Sequence, residues 1–156
     1  MRLLFLDIDG VVNSSGHNGL ESEKLREVQR ICHTAGAKIV LSSDWRRLRE
    51  PRQFVERALT ALGVEMVGAT PELDSMYAYV RPQEILSWIS TTKHAIEGWC
   101  AVDDRDIEPE ENGDRANDHE GECAVSCVAL PEQHQQNHRT ESRAEACPGV
   151  TDKAKD

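Results

Sequence analysis

Aromatic side chains are scarce in this chain: three Trp, two Tyr and two Phe among 156 residues. Hydrophobic residues of all kinds reach only 38%. That supply suits one domain of ordinary size, not a chain packed from end to end. Long apolar runs are missing too. None approaches the roughly 20 residues that cross a bilayer, so no membrane partner is expected. The apolar stretch at residues 1–6 is too short for a secretory leader and stops at Asp7. Five cysteines, an odd number without regular spacing, make no disulfide framework and favour a reducing, intracellular and cytoplasmic setting. Basic residues are outnumbered 18 to 28, giving a net charge of −10. That balance argues against nonspecific nucleic-acid binding and leaves room only for a local basic patch.

The negative charge is unevenly placed. Residues 1–105 carry 13 basic and 15 acidic side chains, and residues 106–156 carry 5 and 13. The chain therefore divides into a globular part, residues 1–107, and an acidic, weakly hydrophobic tail, residues 108–156, expected to be largely disordered apart from one strand near 124–130.

Within the first part, short apolar runs alternate with amphipathic stretches. Leu3 to Ile8 form a near-continuous apolar run, as expected of a strand buried on both faces. Leu25, Val28, Ile31, Cys32 and Ala35 recur at helical spacing, and Gly36 can cap that helix. Residues 38–42 predict a second strand, and residues 52–62 a helix opened by Pro51. Residues 64–67 predict a third strand, with Gly68 beginning a loop. Pro82 opens a further helix carrying Ile85, Leu86 and Ile89, and residues 99–102 form a fourth strand. Strands alternating with helices predict an α/β domain with a parallel sheet, whose ligands bind at the carboxyl ends of the strands.

Polar residues with chemistry do follow the strands. Asp7 and Asp9 follow the first, and in extended chain they point the same way. Ser42, Ser43, Asp44, Trp45 and Arg46 follow the second; Asp103 and Asp104 follow the fourth; Arg81 stands just before a helix. Carboxylates gathered at one edge repel unless a cation or a shared proton relieves them. Oxygen ligands favour a hard ion, and Mg²⁺ is the usual choice beside a phosphate. A hydroxyl and a guanidinium would bind the phosphate oxygens. These residues together predict a Mg²⁺-dependent phosphoryl-transfer site.

The segment Leu4-Phe5-Leu6-Asp7-Ile8-Asp9-Gly10-Val11-Val12 resembles the first motif of haloacid-dehalogenase-like (HAD) hydrolases. Ile39-Val40-Leu41-Ser42 is similar to their second, Arg81-Pro82 to the third, and Ala101-Val102-Asp103-Asp104 to the fourth. The four motifs stand in order across residues 1–107. Ser42 to Arg46, followed by Arg81, Glu84, Ile85 and Trp88, further resembles the HAD domain of Swiss-army-knife RNA-repair proteins. The resemblance implies a Rossmann-like HAD fold with helices flanking a parallel sheet. The short segments between motifs leave no room for a large cap domain. It also implies roles. Asp7 would be the nucleophile, forming an aspartyl-phosphate, and Asp9 the general acid and base. Mg²⁺ would be held by the Asp7 carboxylate, the Asp9 carbonyl and Asp104, with Asp103 assisting. Ser42 and Arg81 would hold the phosphoryl group.

Arg46, Arg47, Arg49 and Arg52 form a basic cluster beyond the second strand, and Ser43 and Arg46 join the phosphate-binding candidates. Trp45 reads more readily as packing than as a base-stacking platform, and Lys93 competes with Arg81 for the basic role. In the tail, His119, Cys123, Cys127, His134 and His138 offer zinc-ligand chemistry, at a spacing that matches no standard finger. The expected activity is a phosphatase acting on a phosphorylated small molecule or a nucleic-acid end. A phosphotransferase would use the same residues, and a noncatalytic HAD-like binding or regulatory module is the rival reading.

Overall fold

The computed structural model describes residues 1–14, 19–74 and 80–105, together with the backbone of 124–128. Strand β1 (Arg2–Leu6) is the apolar run at the amino terminus, and it lies in the middle of the sheet. Both of its faces are covered. Leu4 and Leu6 pack with Ile39 and Leu41 of β2 (Ala37–Leu41) on one side of the sheet. There they meet Val28 and Cys32 of α1 (Ser22–Ala35), and Val55 and Leu59 of α2 (Arg49–Ala61). Leu3, Phe5 and Val40 face the other side, against Ile85, Trp88 and Ile89 of α3 (Arg81–Thr91). Period-2 alternation on β1 and β2 thus feeds two cores, which is why the run is apolar at every position. Phe5 is fully buried between Trp88 and Trp99, with ring centroids 5.7 Å away and both rings edge-on. Three of the few aromatic residues serve this one cluster.

Five strands are ordered β3-β2-β1-β4-β5, where β3 is Met66–Ala69, β4 is Gly98–Asp103 and β5 is Ala124–Val128. The first four are parallel, flanked by helices, as an α/β Rossmann-like HAD fold requires. β5 departs from the uniformly parallel expectation by pairing antiparallel with β4. An antiparallel neighbour needs no helical crossover to reach its place. Residues 7–21 join β1 to α1, too few for a large cap domain.

Several boundaries move for identifiable reasons. α2 starts at Arg49, so Pro51 sits within the first turn instead of opening it; its missing N–H has no helical partner there to lose. β3 lies two residues later than expected and contains Gly68. A Cβ on Gly68 would stand 3.2 Å from Trp88 Nε1, so that glycine admits an indole rather than starting a loop. A short 3₁₀ turn over Asp44–Arg47, absent from the sequence reading, follows β2. Cys32 has a free, buried thiol pushed up to about 11 by desolvation. Cys100 is disulfide-bonded, although the irregular cysteine spacing predicts no disulfide framework. Among the described residues, no helix is long and apolar enough to cross a membrane.

Candidate active site

The chain runs outward from β1 to β2 and β3, then returns to place β4 on the other flank of β1. Where successive connections leave a central strand in opposite directions, its carboxyl end opens into a crevice. Leu6 pairs with Leu41 on one flank and with Val102 on the other, so Asp7, Ser42 and Asp103 come next in one row. Main-chain bonds extend the ladders into that row. Asp7 N donates to Val102 O and Ser42 N donates to Leu6 O, both at 3.0 Å.

Arg81, at the start of α3, reaches into the row. Its Nη1 donates to Asp7 Oδ1 and to Asp103 Oδ2, each at 2.8 Å. All three side chains are buried. One nitrogen therefore bridges two carboxylates drawn from strands 96 residues apart in sequence. Oxygens of Asp7, Asp103 and the exposed Asp104 all lie within 4.8 Å of one another. Burial raises the Asp7 carboxyl above its ordinary value; Arg81 pulls it down in opposition, and Asp104 adds to the rise. Asp103 is pushed up to about 6, chiefly by burial and then by its acidic neighbours, against the pull of Arg81. One guanidinium does not fully compensate three carboxylates, and the residual excess of negative oxygen suits a hard divalent cation. The donor set therefore fits Mg²⁺, which Asp7, Asp103 and Asp104 would hold.

Asp9 takes a different place from Asp7. β1 ends at Leu6, and Ile8 O accepts from the amides of Val11, Val12 and Asn13, closing a tight turn. Asp9 stands exposed at the rim of that turn instead of sharing Asp7's buried surroundings. Its carboxylate accepts from Trp45 Nε1 at 3.1 and 3.0 Å and from Asn13 Nδ2 at 2.9 Å. Asn13 Oδ1 in turn accepts from Gly10 N at 3.1 Å. The Asp9 side chain is outside the acidic cluster, so any share it takes in holding an ion rests on its main-chain carbonyl. Gly10 has φ +78°, and a Cβ there would collide with the Asp104 carboxylate. Its place in the motif thus has two physical causes: the left-handed turn, and clearance for an acid from β4.

The expected phosphate-binding residues divide. Ser42 is buried at the crevice floor beside Asp7, with its hydroxyl bonded to no other described residue. Ser43 is also buried; its Oγ accepts from Trp45 N at 3.4 Å and caps the 3₁₀ turn. Arg46 does not act as expected. Its Nε donates to Thr70 O, its Nη1 to Ser42 O and Ser43 O, and its Nη2 to Pro71 O. Nη2 also pairs with Glu84 at 2.6 Å. Every guanidinium proton is committed inside the protein, and none remains for a phosphate. Arg46 is an internal strut, and Glu84 is its anchor. Glu84 is buried on α3, also accepts from Leu73 N at 3.3 Å, and lies 3.9 Å from Arg81 Nε. Lys93 follows the far end of α3, away from the row.

Asn13 beside Asp9 has no role in the sequence reading, while Trp45 and Glu84 are named there without the roles they take: the hydrogen bond to Asp9 and the support behind Arg81. The Arg81/Glu84 spacing of three, on one helix face, was the available signal for the last. An Asn three residues after a turn glycine was a weaker signal for the first. Of the tail's zinc-ligand types, His119, Cys123, His134, His138 and the side chain of Cys127 lie outside the described residues.

A parallel α/β sheet with paired acids after β1, a serine after β2, a basic residue opening α3 and paired acids ending β4 is the arrangement of the HAD-like class. The chain belongs to the family described as the HAD domain in Swiss Army Knife RNA repair proteins, which matches residues 3–130. It is thereby a member of the HAD-type hydrolase superfamily. No curated protein and no solved structure gives a significant match.

Proposed function

We propose that the chain is a Mg²⁺-dependent phosphomonoester hydrolase that works through an aspartyl-phosphate on Asp7. The observation that carries this reading is the buried row in which Arg81 Nη1 lies 2.8 Å from both Asp7 and Asp103 while Asp104 completes a cluster within 4.8 Å. That arrangement holds a carboxylate fixed in a buried row, beside acids that would hold a cation able to meet phosphoryl oxygens.

Asp7 Oδ attacks phosphorus, a bond forms between them, and the bond to the leaving oxygen breaks. Asp9, on the exposed rim, delivers its proton to that leaving oxygen. It then takes a proton from the water that displaces phosphate from Asp7, which returns as a free carboxylate. Arg81 and the Ser42 hydroxyl hold the transferring group, Arg81 also keeping Asp7 in position. Asp7, Asp103 and Asp104 would hold Mg²⁺, which supplies positive charge to offset that of the phosphoryl oxygens. The Trp45 and Asn13 hydrogen bonds fix the rotamer of Asp9. The family's description as RNA repair proteins supports a phosphorylated nucleic-acid end as the finer choice of substrate.

The test is hydrolysis of simple phosphomonoesters by the full chain. Activity is expected with Mg²⁺, is lost in EDTA, and disappears in Asp7→Asn. Turnover surviving in Asp7→Asn sinks the assignment of the nucleophile. Stabilisation by Mg²⁺ without any turnover supports the noncatalytic reading instead. Transfer to added alcohols in preference to water marks a phosphotransferase.

A further inference from the structure

Beside the acidic row, on the side of Asp9, lies an open trough of about 770 Å³ whose walls include Asp9, Trp45, Glu50, Gln53, Phe54 and Arg57. The buried row itself does not line it. We propose that this trough is the leaving-group subsite, and that it takes a nucleoside whose phosphate enters the row. The inference rests on the phosphatase reading for its orientation, because Asp9 is then the group that must meet the leaving oxygen.

Four observations support it. First, the Asp9 carboxylate is turned toward the trough by Trp45 Nε1, at 3.1 and 3.0 Å. A proton donor that forms the wall of a cavity serves an oxygen inside that cavity. Second, the trough gathers aromatic surface in a chain with little of it. Phe54 is one of few large apolar side chains left exposed, at 45%, and the half-buried Trp45 stands on the same trough. On a polar helix face such a residue earns no core burial, whereas two aromatic walls can stack a flat ring. Third, the remaining lining offers hydrogen-bonding edges of both senses. The Gln53 amide and the Glu50 carboxylate make no hydrogen bond or ion pair with another described side chain, and an amide with a carboxylate matches the donors and acceptors of a base edge. Fourth, cationic side chains lie past the trough. Arg57 lines it, and Gln53 also borders a second trough of about 440 Å³ that carries Arg47, Arg49 and Arg52 beside Glu56. No other described side chain pairs with Arg49 or Arg52. That line of cations lies where further phosphates of the leaving group would run, although the chain as a whole is acidic.

The shared chemistry is a purine or pyrimidine nucleoside with a phosphate, supplied either as a mononucleotide or as the end of a strand. Calorimetric titration of the full-length Asp7→Asn chain in Mg²⁺ separates the sources. The probes are adenosine 3′-monophosphate, ribose 5-phosphate and a 3′-phosphorylated hexanucleotide. Adenosine monophosphate is expected to bind about tenfold tighter than ribose 5-phosphate, the size of one base stacked on an aromatic wall. Phe54→Ala removes that advantage; Phe54 is exposed enough for the variant to fold. If the strand end is the natural occupant, the hexanucleotide binds tighter still, and its affinity falls more steeply with salt than that of the Arg49→Gln/Arg52→Gln variant. Equal affinity for adenosine monophosphate and ribose 5-phosphate overturns the proposal. So does a nucleotide preference untouched by both Phe54→Ala and Arg57→Gln. The phosphatase reading fails separately: hydrolysis of simple phosphomonoesters without nucleotide preference sinks only the subsite, and nucleotide preference without hydrolysis by the wild-type chain sinks only the catalytic reading.

Discussion

The acidic row makes the metal-free protein sensitive to pH in a direction opposite to ordinary acid unfolding. Asp103 is nearly inaccessible, and its carboxyl is raised from 3.8 to about 6 by burial and by Asp7 and Asp104, with Arg81 opposing. A carboxyl that holds its proton more tightly in the folded chain favours folding while it is protonated. The contribution is complete below pH 3.8 and is lost as pH rises through about 6. At about 1.4 kcal/mol per tenfold in proton affinity, the gap between those values is worth about 3 kcal/mol. Asp7 shifts in the same direction and adds to the loss. The assay is urea unfolding followed by circular dichroism in EDTA, at pH 4 and at pH 7, for the wild type and Asp103→Asn. The wild type is expected to lose about 2.4 kcal/mol relative to the variant between the two pH values, because part of the full change already lies below pH 4. Comparing the two proteins cancels carboxylates of opposite behaviour, such as Glu97, lowered by its hydrogen bond to the amino terminus. Mg²⁺ at pH 7 should restore the lost stability in the wild type and should stabilise Asp103→Asn little or not at all. If the two proteins keep a constant difference from pH 4 to pH 7, the charge excess inferred for the row is wrong.

Other outcomes follow from single contacts. Gly10→Ala combines a left-handed φ with a collision at Asp104; a loss of about 1–2 kcal/mol in urea unfolding is expected, together with weaker stabilisation by Mg²⁺ in thermal melts. Glu84→Gln strips the buried partner from Arg46, which should cost about 3–5 kcal/mol in the same unfolding assay. The double variant Arg46→Met/Glu84→Met should cost less than Glu84→Gln alone, because no buried charge is then left unpaired. Phe5→Ala empties the space between Trp88 and Trp99 and should cost about 3–5 kcal/mol.

Hydrophobic spacing was enough to place the strands and helices of residues 1–105, because β1 and β2 are buried on both faces and the helices on one. It failed where a local rule met a tertiary demand. Gly68 reads as a loop signal because glycine weakens strands, and the Trp88 indole that needs the space is twenty residues away. The acids after β1 and β4, Ser42 and Arg81 were visible because strand ends converge on one edge. Arg46 looked equally suited to phosphate. Its use as a strut depends on carbonyls at Thr70 and Pro71 and on Glu84, which no spacing rule brings together. Trp45 reads as packing from the sequence, and its indole hydrogen bond to Asp9 follows the 3₁₀ turn that no spacing rule reveals.

The level pairing of Leu6 with Leu41 and Val102 has a consequence for how this chain can change over generations. Sliding either neighbour of β1 by one residue would carry Ser42 or Asp103 about 3.3 Å out of line, more than the length of the bonds Arg81 makes. The same slip would turn every apolar side chain of that strand to the opposite core. Insertions in the connecting loops leave the alignment alone, while a single codon gained or lost inside a strand breaks the polar row and the packing at one stroke. The leucines, valines and phenylalanine of the sheet therefore act as the ruler against which the polar groups are set. A variant library that randomises the acids but keeps those apolar positions should retain the fold, whereas the reverse library should lose both.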